Sequence, residues 1–232
     1  MEILRNFAVF EGPDGSGTTT QLNILEAFFH PQEIPLNSFS FLAAEPKLPY
    51  NLVLPPELPV FYKTFEPTDG IIGKIIRSGL KNDNVLRPET IARLFAADRN
   101  EHLYGPNGVA ERCRRGELVV SDRYVPSSLV YQGITCGDEL PAELNKDFPG
   151  PELLLFFDID SETAQKRMSE RPQKEIYENL DFQIKVRQRY KSLLPCFADQ
   201  GVRVEIIDAS LPPMEIALVV WAHLEKMPIF KV

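Results

Sequence analysis

A glycine-rich segment near the amino terminus has the spacing of a phosphate-binding loop. Residues 11–21 read Glu-Gly-Pro-Asp-Gly-Ser-Gly-Thr-Thr-Thr-Gln, so Gly12, Gly17 and Thr19 fit the pattern G-x-x-x-x-G-K-[ST], with Thr18 in place of the lysine. Small residues allow successive backbone N–H groups to curl around a phosphate, and a helix that follows adds its N-terminal dipole. The alternative is a glycine-rich turn without a ligand, but the apolar run before it and the helical pattern after it favour a phosphate site.

This loop is therefore predicted to bind a nucleotide, and its hydroxyl at Thr19 is placed to ligate Mg²⁺. A second candidate ligand is Asp122, which follows an apolar run and is expected beside the loop if the sheet is parallel. The alternative for Asp122 is a cap at the end of a strand. The residues predicted to bind the nucleotide are Gly12, Asp14, Gly15, Ser16, Gly17, Thr18 and Thr19.

Apolar runs alternate with helical patterns along the chain. The apolar runs predict strands at 7–10, 60–65, 118–121, 153–157 and 202–207. The helical patterns cover 18–29, 71–80, 88–103, 107–115, 126–132, 161–170, 180–194 and 214–227. Because several strands are uniformly apolar, we predict a three-layer α/β fold with a doubly wound, five-stranded parallel sheet and helices on both faces, of the P-loop NTPase type.

Composition favours one globular domain with an anionic small-molecule ligand. The chain has 232 residues and a net charge of -8, and such an acidic balance argues against a nucleic-acid partner. No run approaches the ~20 apolar residues of a membrane span, which argues against a membrane protein. Three scattered cysteines and an amino terminus without a leader pattern favour a cytoplasmic location.

Residues 1–232 are expected to form a single domain with a Pro-rich insertion at about 31–59, where seven of the 20 prolines lie. We expect Trp221 in the core and the histidines His30, His102 and His223 at surface or packing positions.

Six motifs in order along the chain resemble those of the thymidylate kinase family. Residues 11–21 resemble E-G-x-D-G-[SA]-G-K-[ST]-T-Q, and Glu66-Pro67 lies where the family has R-E-P-G-G. Residues 94–103 resemble L-F-x-A-D-R-x-x-H, and residues 121–133 resemble D-R-[YH]-x-x-S-x-x-A-Y-Q-G, the most specific of the six. Residues 151–160 resemble P-D-L-x-x-x-L-D-V-D, and residues 175–190 resemble the lid segment with the helix after it. The resemblance leaves out residues 31–62.

The resemblance implies that the protein transfers the γ-phosphoryl group of ATP, with Mg²⁺, to the phosphate of dTMP. It also implies a homodimer. In the family, an aromatic residue and an arginine four positions apart on one helix hold thymine, and here these are Phe95 and Arg99. Arg123 resembles the clamp on the acceptor phosphate, where a guanidinium fork matches phosphate oxygens. The residues that lie where the family surrounds the base and the deoxyribose are Ser127, Ser128 and Tyr131.

Further roles follow from the resemblance at the loop and at the lid. Asp14 is similar to the carboxylate that approaches the sugar hydroxyl and the acceptor phosphate. The lid is expected at about residues 167–179, where Arg167, Arg171 and Lys174 supply cations and Tyr177 lies near the substrate. The residues predicted to be catalytic are Asp14, Asp122, Arg123, Arg171 and Lys174.

Three positions lack a cation that the family places against phosphates, namely Thr18, Phe65 and Ile176. The loss of one such cation typically costs roughly 3–4 kcal/mol of transition-state stabilisation. Either other cations replace them, or the protein binds nucleotides and transfers phosphate poorly; a third alternative is a different acceptor, another deoxynucleoside monophosphate or a nucleoside. We favour the active enzyme because the base-pocket residues are retained. The candidate replacements are Lys63, Lys74, Arg171 and Lys174.

Overall fold

The strands predicted from the apolar runs form one parallel sheet in the computed structural model, which describes residues 1–33, 54–81, 86–169 and 179–231. Within these ranges the strands are β1 (Ile3–Glu11), β2 (Phe61–Phe65), β3 (Leu118–Asp122), β4 (Gly150–Asp158) and β5 (Arg203–Asp208). Their order is β2-β3-β1-β4-β5, and each neighbouring pair is parallel. The predicted five-stranded parallel sheet is therefore confirmed.

Helices connect the strands and lie over both faces of the sheet. They are α1 (Thr18–Phe29), α2 (Ile71–Gly79), α3 (Pro88–Tyr104), α4 (Val109–Arg114), α5 (Val125–Cys136), α6 (Glu139–Asn145), α7 (Ser161–Ser169), α8 (Leu180–Asp199) and α9 (Pro213–Leu224), followed by a 3-10 turn at Pro228–Phe230. Within the described ranges, none of these helices combines the length and the apolar character that a membrane-spanning helix needs.

Side chains of β1 alternate between two cores on opposite faces of the sheet. Ala8 and Phe10 pack with residues of α1 and α9, whereas Phe7 and Val9 pack with residues of α2 to α5 and of α8. All four side chains are fully buried. The predicted three layers follow from this, because a strand that is apolar on both faces needs cover on both.

Two helices extend at least four residues beyond their predicted ends, and a third helix was not predicted. Helix α5 continues past residue 132 to Cys136 and ends before Gly137, whose φ of 84° favours glycine. Helix α8 continues through Pro195, which removes a backbone hydrogen bond, because Leu194 and Phe197 on that turn are buried in the core. Helix α6 was not predicted, since its seven residues are too few to show a period.

The sheet brings two chain segments together at its carboxyl edge. Phe10 and Asp122 lie opposite each other in the β1–β3 pair, so the segments that follow these strands are neighbours. The chain leaves β1 for α1 on one face and β3 for α5 on the other, which opens a crevice of the kind that binds ligands in parallel sheets. Most of the predicted Pro-rich insertion and lid falls at 34–53 and 170–178, outside the described residues.

Trp221 lies in the core, as predicted, at 3% exposure and contacts the rings of Phe28, Phe29 and Phe230. We expect Trp221→Ala to lower the free energy of unfolding by roughly 3–5 kcal/mol, because the truncation leaves a cavity among these rings. Urea unfolding followed by circular dichroism measures this loss. Val219→Ala on the same helix, at 37% exposure, is the control and should change little. Equal stability of the two variants would contradict the packing described here.

Candidate active site

The phosphate loop connects β1 to α1 at the carboxyl edge of the sheet. Gly15 and Gly17 have φ angles of 84° and 92°, in the left-handed region that favours glycine. A Cβ atom on Gly15 would lie 2.6 Å from the carbonyl oxygen of Ala164, so a side chain at this position is excluded. Helix α1 has no side-chain cap, so its first backbone N–H groups remain available to an anion. The buried hydroxyl of Ser16 likewise has no hydrogen-bond partner among the described residues.

The two predicted metal ligands are in contact. The hydroxyl of Thr19 donates to Oδ2 of Asp122 at 2.5 Å. The other oxygen of Asp122, Oδ1, is buried and accepts no hydrogen bond from any described residue. A buried carboxylate oxygen without a partner, next to a hydroxyl and a phosphate loop, fits a hard cation with oxygen ligands such as Mg²⁺.

Arg123 follows Asp122 and reaches back over the phosphate loop. Its Nη1 donates to the carbonyl oxygen of Gly12 at 3.3 Å, to Oγ of Ser127 at 3.2 Å and to the hydroxyl of Tyr131 at 3.4 Å. Its Nη2 donates to a carboxylate oxygen of Asp14. The guanidinium therefore joins the loop to the first turns of α5.

Asp14 is also held from the opposite side by helix α8. The backbone N–H of Asp14 donates to Oε1 of Gln183 at 3.1 Å, and Nε2 of Gln183 donates to Oδ2 of Asp14 at 2.8 Å. Gln183 is fully buried. Sequence reasoning missed this residue, because a glutamine on an amphipathic helix carries no signal of its partner 169 positions away.

Arg99 lies inside the protein, contrary to what a single charge on a helix would suggest. Its Nε and Nη2 donate to Oε2 of Glu66 at 2.9 and 2.5 Å, and Nη2 also donates to Oγ of Ser128 at 3.0 Å. Nη1 donates to the side-chain oxygen of Asn145, on the unpredicted helix α6. The guanidinium also lies over the rings of Tyr124 and Phe148.

Glu66, which directly follows β2, links this arginine to a histidine on α3. Its Oε1 lies 3.0 Å from Nδ1 of His102, and Nε2 of His102 lies 2.6 Å from Oγ1 of Thr64. Burial opposes the ionisation of Glu66, but Arg99 and His102 outweigh it and hold the pKa of Glu66 below its usual value. His102 therefore belongs to a buried polar network, which the prediction of an ordinary packing residue did not foresee.

Asp98, the residue before Arg99 on α3, binds the segment that follows β2. Its carboxylate accepts from the backbone N–H of Thr68 and from the Thr68 hydroxyl, both at 2.7 Å. The segment after β2 is thereby attached to α3, the helix that carries Arg99.

The other predicted substrate residues converge only in part. Ser127 and Tyr131 contact Arg123, while Ser128 contacts Arg99, so α5 joins both groups. Phe95 is half-buried and packs against the core beneath α3. The remaining predicted residues, Arg171, Lys174 and Tyr177, lie outside the described residues.

Two of the candidates to replace the loop lysine, Lys63 and Lys74, lie within the described residues. Nζ of Lys63 donates to Oδ1 of Asn23 at 3.1 Å and to Oε2 of Glu26 at 2.5 Å, both on α1. Lys74 is exposed on α2. Arg167, at the start of the predicted lid, donates to the carbonyl oxygen of Ala209 at 3.0 Å. Among the described residues, Arg123 is thus the predicted cation that contacts the phosphate loop.

Glu11 is a buried acid that sequence reasoning quoted but gave no role. It ends β1 directly before the loop and is fully buried. Burial raises the pKa of Glu11 to about 7, although Ser127, Arg123 and Tyr190 oppose the shift. A charged residue that ends an apolar strand was the available signal, the same one that singled out Asp122.

The arrangement suits two phosphate groups side by side. Backbone N–H groups at the start of α1 are available to one phosphate, and the Arg123 guanidinium, which donates to the Gly12 carbonyl oxygen beside them, can bind another. The pair Thr19 and Asp122 lies between α1 and β3 and can hold a divalent cation. The geometry can therefore align two phosphate-bearing ligands.

Comparison with known proteins identifies a family. The family model for thymidylate kinase matches residues 54–217. A protein of Treponema pallidum, provisionally named as a thymidylate kinase, is 39% identical over 194 residues, which are 83% of this chain and 81% of the relative. A "Probable thymidylate kinase" of Pyrobaculum aerophilum is 33% identical over 226 residues, 97% of this chain and 99% of the relative. A "Probable thymidylate kinase" of Methanococcus maripaludis is 39% identical over 193 residues, 82% and 78% of the two chains.

The ion pair between Glu66 and Arg99 gives a testable consequence, since both side chains are at most 2% exposed. We expect Glu66→Gln to lower the free energy of unfolding by roughly 3–5 kcal/mol, because Arg99 is then buried without its counter-ion. Chemical denaturation measures the difference. Glu143→Gln removes a carboxylate whose ion pair with Lys146 is exposed, and this control should leave stability unchanged. If Glu66→Gln were as stable as the control, the ion pair between Glu66 and Arg99 would not form in solution.

Proposed function

The chain belongs to the thymidylate kinase family, and we propose that it transfers the γ-phosphoryl group of ATP to the phosphate of dTMP, which yields dTDP and ADP. The observation that carries this function is the contact between Thr19 and Asp122, with Arg123 next to it over the loop. Phosphoryl transfer needs alignment and charge stabilisation more than covalent chemistry, and this edge of the sheet supplies both.

In this proposal the phosphates of ATP lie in the loop of residues 12–19. Backbone N–H groups and the N-terminus of α1 bind them, as the glycine conformations at Gly15 and Gly17 allow. Thr19 and Asp122 hold Mg²⁺, which the unpartnered Oδ1 of Asp122 supports. When bound, the ion neutralises charge on the β- and γ-phosphates.

The acceptor phosphate binds to Arg123, whose planar fork matches phosphate oxygens. Without ligand, one of its nitrogens donates to Asp14, and the phosphate takes the place of that partner. The Asp14 carboxylate is then free to approach the sugar hydroxyl, while its backbone and second oxygen stay with Gln183. The acceptor is thereby oriented in line with the donor phosphate.

The base pocket is formed by Phe95, Arg99, Ser128 and Tyr131, with Ser127 beside the sugar. Arg99 is a donor only, so it suits the carbonyl oxygens of thymine and disfavours the amino group of cytosine. Its contacts with Glu66 and Asn145 hold the guanidinium in one orientation before the base arrives. Tyr131, packed under the sugar, disfavours a 2′-hydroxyl.

The missing loop lysine requires other cations. Lys63 is engaged on α1, which disfavours it as the replacement. We propose that Arg123 together with Arg171 and Lys174 supplies the positive charge, the latter two when the lid at about 167–179 closes and brings Tyr177 near the substrate. Preorganised cations of this kind act where charge develops in the transition state.

The whole chain, residues 1–232, is proposed to act as one domain with a Pro-rich insertion at about 31–59. The family resemblance predicts a homodimer, and the few scattered cysteines favour the cytoplasm. The net charge of -8 favours a small anionic substrate over a nucleic acid.

An ADP-release assay tests the reaction directly. Purified protein with ATP, Mg²⁺ and dTMP is expected to release ADP in step with dTDP, which chromatography identifies; other nucleoside monophosphates are assayed beside dTMP. Nucleotide binding without dTDP formation would contradict the function, and so would a stronger preference for another base. A Thr18→Lys variant, which restores the loop lysine, tests whether another cation has replaced it. An unchanged kcat supports the view that another cation already acts on the phosphates.

Substitutions of Arg123 test its place at the acceptor phosphate. Arg123→Ala is expected to lower kcat/KM for dTMP by about 10²–10³, since a preorganised cation is lost. Arg123→Lys should recover part of that loss, because the charge remains while the fork does not. The control is Arg5→Lys, an exposed residue at the other end of β1, with unchanged kinetics expected. An Arg123→Ala enzyme with wild-type kcat/KM would refute the assignment.

A further inference from the structure

Glu11 is a buried carboxylate that the proposed reaction leaves without a task. It accepts two hydrogen bonds on each oxygen. Oε1 accepts from the backbone N–H groups of Tyr124 and Ser127, at 2.8 and 3.3 Å. Oε2 accepts from the hydroxyls of Ser127 and Tyr190, at 2.6 and 2.8 Å. An ionised carboxylate, which is an acceptor only, matches this set of donors.

Three of the four donors belong to the turn that begins α5. This helix has no side-chain cap of its own, and Ser127 is its third residue, whose N–H a cap ordinarily binds. Glu11, the last residue of β1, therefore caps α5, although α5 follows β3 in the chain. Its negative charge also lies at the positive end of the helix dipole.

The same turn contains Arg123 in a left-handed backbone conformation, with φ of 74°. Such a conformation is unfavourable for arginine and persists where neighbouring groups hold it. The N–H of Arg123 donates to the carbonyl oxygen of Phe10 at 2.9 Å, and the hydroxyl of Ser121 donates to the carbonyl oxygen of Arg123 at 2.8 Å. Glu11 fixes the next peptide through the N–H of Tyr124.

A second path joins Glu11 to the guanidinium of Arg123 through a side chain. The hydroxyl of Ser127 donates to Oε2 of Glu11 and accepts from Nη1 of Arg123 at 3.2 Å. Because the Ser127 hydroxyl uses its hydrogen in the bond to the ionised carboxylate, a lone pair on its oxygen is available to the arginine. Backbone and side chain of Arg123 thus both depend on the same carboxylate.

We propose that ionised Glu11 is a positioning residue for the acceptor phosphate, because it holds the turn of residues 123–127 in the conformation that directs Arg123 to the phosphate loop. This inference rests on the proposed function, which assigns the acceptor phosphate to Arg123. A protonated Glu11 carboxyl has an O–H group that donates a hydrogen bond. The Ser127 or Tyr190 hydroxyl, which donates to the same carboxylate oxygen, then has to turn its own hydrogen away.

The pKa of Glu11, which burial raises to about 7, brings this change into the range of an assay. The groups that face the carboxylate are the Tyr124 backbone, the Ser127 and Tyr190 hydroxyls, and the charge of Arg123 with its counter-ion Asp14. Glu11 is ionised above that pKa and protonated below it. Affinity for dTMP is therefore expected to fall as the pH drops through about 7.

The test measures dTMP affinity by calorimetry, and kcat and KM for dTMP and ATP, on the full chain between about pH 5.5 and 9. Glu11→Gln keeps the size of the side chain and removes its charge. At the alkaline end we expect it to bind dTMP about tenfold or more weakly, with the KM for ATP nearly unchanged. In Glu11→Gln, the fall in dTMP affinity near pH 7 should be smaller than in the wild type. The part that remains should come from protonation of the dTMP phosphate itself, which affects both proteins equally.

Tyr190→Phe is the second variant, because it removes one donor and leaves the carboxylate in place. That hydrogen bond lowers the pKa of Glu11, so its loss should move the midpoint of the fall in affinity to higher pH. Glu152→Gln, a control on β4 that accepts from Arg5 and Asn6, should retain the wild-type pH profile.

The proposal is wrong if Glu11→Gln retains the wild-type affinity and pH profile, or if Tyr190→Phe leaves the midpoint unmoved. If circular dichroism shows that Glu11→Gln does not fold, the proposal is judged by Tyr190→Phe alone, from the midpoint of its pH-dependent fall in dTMP affinity. If the wild type binds dTMP without forming dTDP, the proposed function fails, and the calorimetric profiles still decide the role of Glu11.

Discussion

The parallel pairing of β1 with β3 is the constraint on which the site depends. Phe10 and Asp122 lie opposite each other, so the loop after one strand and the Arg123 turn after the other become neighbours. A slip of one residue would separate Asp122 from Thr19 and would also turn each side chain of β1 toward the wrong core. Because the two cores bury residues 7–10 of that strand completely, hydrophobic packing and the geometry of the site are set by the same register.

Two buried glutamates, Glu66 and Glu11, orient the guanidinium groups of Arg99 and Arg123. Glu66 holds Arg99 through direct ion pairing, whereas Glu11 acts on Arg123 through the turn and through Ser127. Burying such charges gives little net stability, since desolvation offsets most of the attraction. Its benefit is that the guanidinium groups are oriented before a ligand arrives, which lowers the cost of reorganisation.

The chain carries a net charge of -8, yet its proposed ligands are polyanions. What matters for binding is the local potential, and here it arises from backbone N–H groups, the start of α1 and the guanidinium of Arg123. Asp14 neutralises part of that charge while no phosphate is bound.

The sequence alone determined the five strands, most of the helices between them and the position of the glycine-rich loop after β1, because apolar periods and glycine spacing are local signals. The family resemblance suggested the substrate. Only the tertiary structure decided which side chains hold these residues in place: Glu11 meets Tyr190 across 179 positions, and Gln183 meets Asp14 across 169. Tertiary contacts also decided that α8 continues through Pro195 and that Arg99 pairs with residues of other elements. Such contacts depend on how the sheet packs against its helices, and no local pattern in the chain encodes them.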